Sequence, residues 1–138
     1  MRFSFGRQVL PLSSCLLLCA CAAQNYEGAK KSFSTQQRAF VAAMPAATAL
    51  REIKGAAEKC AAGEGANLIQ ERRVAKNGFD ELSIVTRDGN SAVLLAAIEI
   101  SPLDTKTTRV NVIWNRWRWK HDEHLVEKWS QGFAVCSL

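Results

Sequence analysis

Three turn signals stand at hairpin spacing in the second half of the chain: Asn77-Gly78, Asp88-Gly89-Asn90, and the run from Ser101 to Thr105, SPLDT. They bound four stretches rich in β-branched and aliphatic residues: NLIQERRVA, DELSIVTR, SAVLLAAIEI and TTRVNVIWN. Asn-Gly between extended runs is a strong hairpin signal, because tight hairpin turns need positive φ angles that these residues tolerate. The four runs are therefore expected to form an antiparallel meander. Side chains alternate across a strand, which places Ala92, Leu94, Ala96, Ile98 and Ile100 on one face of the third run. Val110, Val112 and Trp114 share a face of the fourth. SAVLLAAIEI alone also fits a buried helix; its ten residues and flanking turns favour a strand.

Ahead of the meander, QRAFVAAMP (Gln37 to Pro45) reads as a short first strand ended by its proline. Pro45 suits the first turn of a helix, where its missing N–H would be unpaired anyway. That helix is expected to run to about Ala62, with Leu50, Ile53, Ala57 and Cys60 recurring on one apolar stripe and Gly63-Glu64-Gly65 as the stop. At the other end, HDEHLVEKWSQG places acids early, Lys128 late and Gly132 last, the polarity of a helix. Leu125 and Trp129 would pack together from it onto the sheet. The fold class is thus α+β: an antiparallel meander of four to five strands, with an N-terminal and a C-terminal helix on one face.

The N-terminus carries an address. MRFSFGR is basic, Gln8 to Tyr26 is uncharged, and VLPLSSCLLLCACAA is apolar with small residues at its end. These are the three regions of a secretory signal. As a helix, Val9 to Ala23 would span about 22 Å against a hydrocarbon core of about 30 Å, too short for a permanent span. Leu18-Cys19-Ala20-Cys21 resembles the lipobox of bacterial lipoproteins, in which a leucine and two small residues precede the lipid-modified cysteine. The resemblance covers residues 1–21 and implies a thioether diacylglycerol and an N-acyl chain on Cys21, enough acyl groups for a stable anchor. Ala22 at the next position implies the outer membrane, facing the periplasm. Cleavage after the Ala20-Cys21-Ala22 set would instead release a soluble periplasmic or surface-exposed protein. The expected divisions are a signal peptide at 1–20, a lipidated tether at 21–31 and one α+β domain at 32–138. In strand and helix order that domain resembles, at the level of topology alone, the helix-grip modules in lipoproteins of the outer-membrane barrel-assembly machinery, a likeness that carries no function.

Cysteine usage follows from that address. Once the signal and anchor cysteines are set aside, Cys60 and Cys136 remain in an oxidising compartment, and a single disulfide is the economical reading; two buried thiols are the alternative. Without Arg2 and Arg7 the mature chain keeps 16 of its 18 basic residues against 13 acidic ones. A surplus of three gives weak attraction to anionic surfaces and makes nucleic acid an improbable partner.

Chemistry-bearing residues concentrate in WNRWRWKHDEH, Trp114 to His124. Continued as a strand, it would set Trp117 and Trp119 on one face and Arg116, Arg118 and Lys120 on the other. Because Val110, Val112 and Trp114 have the opposite parity, a bulge or turn near Asn115 is required. Indole rings beside cations suit peptidoglycan, lipid headgroups or stacked bases; four large aromatics in so small a domain are chiefly core material, however, and the favoured reading makes the tryptophans core, with arginines solvated or stacked on them. Arg116, Trp117, Arg118 and Trp119 are the candidate binding residues. His121 and His124 do not have zinc-protease spacing, and no nucleophile elbow or phosphate loop is present, so neither a catalytic residue, a metal nor a cofactor is expected. The expected function is that of a non-enzymatic interaction or accessory module, anchored to the membrane through Cys21 and meeting an envelope protein. The alternative is direct ligand binding through residues 114–120.

Overall fold

The computed structural model describes residues 26–31, 35–62, 67–74 and 78–137. The expected signal peptide, the expected lipidation site Cys21, residues 22–25 of the expected tether and the expected Gly63-Glu64-Gly65 helix stop lie outside these. The elements are α1 (Tyr26–Ala29), β1 (Thr35–Ala42), α2 (Ala46–Cys60), β2 (Leu68–Val74), β3 (Phe79–Asp88), β4 (Ser91–Pro102), β5 (Thr108–Asn115) and α3 (Leu125–Ser130). The chain is a mixed α+β protein whose five strands form one antiparallel sheet in the order β1-β5-β4-β3-β2.

β2 to β5 are the expected meander. β3 and β4 meet through the two residues Gly89 and Asn90, with Gly89 at φ +61°, where a type II′ hairpin needs a positive φ at its first central residue. Between β4 and β5, the Asp104 carboxylate accepts the N–H groups of Lys106 and Thr107, each at 2.7 Å. These bonds, the Lys106 amide foremost, hold the Asp104 carboxyl below its ordinary pKa. β1 closes the sheet against β5, pairing Thr35 with Asn115 and Ala42 with Thr108. It begins earlier and ends earlier than the sequence suggests, because the chain turns at Ala43–Met44 and the buried Thr108 hydroxyl donates to the Met44 carbonyl at 2.7 Å.

Ala49, Ile53, Ala56, Ala57 and Cys60 are the buried stripe of α2, and Leu50 packs at its margin. They share one cluster with Leu82, Ile84, Ala96, Ile98, Ile100, Val110, Val112 and Trp114 of the sheet and with Leu125, Val126 and Trp129 of α3. The three alanines leave little bulk between helix and strands, and full burial of Ile53 is worth about 1.5–3 kcal/mol. α3 is shorter than the expected 121–132 helix. The Asp122 carboxylate takes the His124 N–H at 2.7 Å, so residues 121–124 form a turn and helix begins only at Leu125. Beyond Gly132 the chain runs back to Cys136, and the Trp129 indole N–H donates to the Val135 carbonyl at 2.8 Å. Cys60 and Cys136 form the expected disulfide, with Cα atoms 4.9 Å apart.

The alternation in β4 does not run as expected. Ile84 pairs with Ala96 but Val85 with Leu94, so Leu95 is an extra residue in β4, a β-bulge. Ala96, Ile98 and Ile100 keep one face, here called the Ile98 face. Leu94, and Ala92 with it, are carried to the other, the Ala97 face.

That second face holds a core of its own. Leu94, Val85, Ala97 and Ile113 surround the buried Tyr26 and Ala29 of α1. Tyr26–Lys31, expected within a tether, is therefore docked on the sheet. A four-residue helix has no stability of its own in water; contact with the sheet supplies it. The Tyr26 N–H donates to Glu81 Oε1 at 3.2 Å, and the Thr35 hydroxyl donates to the Ala29 carbonyl at 3.1 Å. Glu81 is 1% exposed and accepts in addition from Arg72 Nη2 (2.9 Å) and the Ser83 hydroxyl (3.2 Å), the partners a buried carboxylate requires.

Candidate binding surface at the Trp117 corner

β5 stops at Asn115 because Asn115 bonds to the residues that follow it. Its carbonyl accepts the N–H groups of Arg118 (3.1 Å) and Trp119 (2.8 Å), and its side-chain oxygen accepts that of Trp117 (3.0 Å). This is the turn that the change of parity requires. It puts Trp117 at the apex, 74% exposed, and returns Trp119 to the interior at 8%. The two rings therefore do not share a face, contrary to the extended reading. Trp119 stands edge-on to Trp129 at 6.4 Å between centroids and to His121 at 4.7 Å. Trp117 instead carries the Arg116 guanidinium 4.8 Å from its ring centroid.

Beside the apex lies a surface pocket of about 370 Å³. Its rim is Trp117, Arg118, Lys120 and His121; Trp119 and Leu95 form part of its wall, and Ala61, Asn67 and Thr86 the remainder. Among the described residues the lining includes no carboxylate, so an aromatic plate and a positive rim coincide here. Of the four candidate binding residues, the turn brings Arg116, Trp117 and Arg118 to the surface and assigns Trp119 to support beneath them. Such a corner can stack a flat or weakly polar ring and hold an adjoining anion.

The HDEH segment diverges. His121 lies against Trp119, whereas His124 sits 3.4 Å from Glu123 and 3.5 Å from Glu127. Among the described residues no three His, Cys, Asp or Glu side chains are grouped closely enough to hold a metal.

A second polar cluster was not foreseen. Arg38 Nη2 donates to Glu127 Oε2 at 2.9 Å, tying β1 to α3 across 89 positions of sequence. The hydrogen bond from Arg38, with that from His124 behind it, holds the Glu127 carboxyl below its usual pKa. Arg38 Nε is buried without a partner among the described residues. The available signal was parity: Arg38 alternates with Phe40 and Ala42, a charge in the inward phase of a strand.

Among the described residues no helix is long and apolar enough to cross a membrane. Compared with known proteins, the chain matches no family model, no curated protein and no solved structure.

Proposed function

We propose that this protein is a non-enzymatic, lipid-anchored module of the cell envelope that binds peptidoglycan at the Trp117 corner. The observation that carries the reading is a tryptophan 74% exposed at the apex of a turn hydrogen-bonded to Asn115, with Arg116 on its ring and Arg118 beside it. Tryptophan is over-represented among the residues that anchor binding surfaces, and here it stands with cations on and beside its ring, so its use is sought in binding. A pyranose offers an apolar face to such a ring, and the carboxylates of a stem peptide suit Arg116, Arg118 and Lys120. Single-stranded nucleic acid fits less well, because it calls for successive stacking platforms and Trp119 is turned inward. In this reading α2 and α3 cover the Ile98 face together, Cys21 anchors the chain to the outer membrane, and the corner projects into the periplasm. An accessory role through an envelope protein partner is the second reading; it would use the same exposed indole as an anchor residue.

Cosedimentation with isolated peptidoglycan tests the proposal. Binding is expected for the mature protein, reduced at least about tenfold by Trp117→Ala, the order of effect of losing one stacked ring. Undiminished binding by Trp117→Ala, or no binding by the wild type, would refute it; recovery of a crosslinked envelope protein through Trp117 would favour the accessory role.

A further inference from the structure

We infer that the Ala97 face, with α1 docked on it, is a cationic surface that seats on the anionic headgroups of the bilayer. The orientation rests on the proposed anchor at Cys21; the charge of the face does not.

Chain length makes the first argument. Tyr26 is buried against the sheet and its N–H is held by Glu81, so α1 fixes where the chain leaves the domain. Five residue steps separate Cys21 from Tyr26, which reach at most about 18 Å when fully extended. An acyl chain on Cys21 therefore keeps α1, and the face beneath it, close to the headgroups.

Charge makes the second. Cross-strand partners share a face, and the pairs Arg72–Glu81, Arg87–Ala92 and Arg109–Ser101 place three arginines on the Ala97 face. Lys30 and Lys31 follow directly on α1. Two carboxylates of this face are described: Glu81, buried under Tyr26 and ion-paired with Arg72, and Glu99, which accepts from the neutral side chains of Asn111 at 2.8 Å and Ser101 at 3.4 Å. Among the described residues no carboxylate is paired with Arg87 or Arg109. By contrast, Glu52, Glu58 and Glu127 belong to α2 and α3, and Glu71 reaches Lys54 of α2 at 2.7 Å. Among the described residues, Arg72, Arg87, Arg109, Lys30 and Lys31 thus outnumber Glu81 and Glu99 on this face.

Spacing makes the third. Arg87 lies beside the β3–β4 turn and Arg109 near the opposite end of the strands, with Arg72 on β2 at the sheet edge. Cations spread across a face match a plane of phosphates better than one compact anion. The Trp117 pocket draws Thr86 and Leu95 from the Ile98 side, so a domain seated this way leaves its pocket clear of the bilayer.

The test uses the mature acylated protein reconstituted in vesicles of phosphatidylglycerol or of phosphatidylcholine, with arginine modification by phenylglyoxal read by mass spectrometry. Arg87 and Arg109 are expected to be modified more slowly on phosphatidylglycerol, with the difference lost at high salt; Arg51 and Arg116 are expected to react alike on both. Equal reactivity of Arg87 and Arg109 on the two lipids overturns the inference while leaving the anchor standing. Should intact mass show no acyl group, the anchor fails separately, and the face is judged by cosedimentation of the unacylated chain with phosphatidylglycerol vesicles. There Arg87→Gln with Arg109→Gln is expected to weaken binding about 25-fold, about fivefold per cation; no binding, or no loss in the double variant, overturns the inference. Protection of both arginines by single-stranded DNA but not by vesicles would also overturn it and assign the face to nucleic acid.

Discussion

The same substitution should cost much stability at Trp129 and almost none at Trp117. The Trp129 side chain is fully buried in the cluster it shares with α2 and sheet residues, stands edge-on to Trp119, and donates to the Val135 carbonyl. Truncation to alanine withdraws roughly 200 Å² of apolar contact, about 5 kcal/mol at 25 cal/mol per Å², from which partial collapse of the site recovers some. A loss of about 3–5 kcal/mol is expected, the range found for emptied aromatic sites. In a domain of this size each kcal/mol lowers Tm by about 4 °C, so Tm should fall by about 12–20 °C. Trp119→Ala should fall at the lower end of that range, and its coupling to Trp129 in a double-mutant cycle should be about 0.5–1.5 kcal/mol. Trp117→Ala, at the exposed apex, should change stability by no more than about 0.5 kcal/mol. Urea melts followed by far-ultraviolet circular dichroism measure all three without relying on indole emission. A cost above about 2 kcal/mol for Trp117→Ala, or below about 1 kcal/mol for Trp129→Ala, would refute the division into core and surface indoles.

Reduction of Cys60–Cys136, which lie 76 positions apart, should lower stability by up to about 4.5 kcal/mol on the chain-entropy model, seen as a lower urea midpoint in reductant. Finding both thiols alkylated without reductant in exported protein would refute the pairing. The Glu127 pKa is lowered by Arg38 and His124. Its contribution is therefore fully present above the unfolded carboxylate value and lost as pH falls through the folded one. Glu127→Gln should destabilise at pH 7 by about 0.5–1 kcal/mol, and the gap to wild type should close as pH falls below the ordinary carboxylate range; a gap that persists in acid would contradict the ion pair. Cys21→Ser should abolish incorporation of labelled palmitate in a Gram-negative host, and a wild type that takes up none would remove the anchor.

What could be read in the sequence was local. Gly89 between two extended runs, the turn run from Ser101 to Thr105, and Ile53, Ala57 and Cys60 on one helical stripe act over a few residues each, and their elements formed where expected. The cysteine pair was legible because Cys60 and Cys136 alone lie outside the expected signal peptide and anchor. The bulge at Leu95 was not, since Val93 to Ile98 is apolar without a break and contains no polar residue to mark which face each position takes. A turn at Asn115 could be deduced from parity, yet which of Trp117 and Trp119 went inward depended on the Asn115 hydrogen bonds and the space beside Trp129. Arg38 and Glu127 meet only after the sheet has closed. Tyr26 to Ala29 is too short to hold a helix alone, and nothing within it marks it for docking. Only the second face of the sheet, with Glu81 placed under the Tyr26 amide and an apolar patch for its ring, decides that it folds. Turn chemistry and periodicity act along the chain and survive in one dimension; the bulge, the buried carboxylate and the docked α1 depend on surfaces that exist only after distant strands have paired.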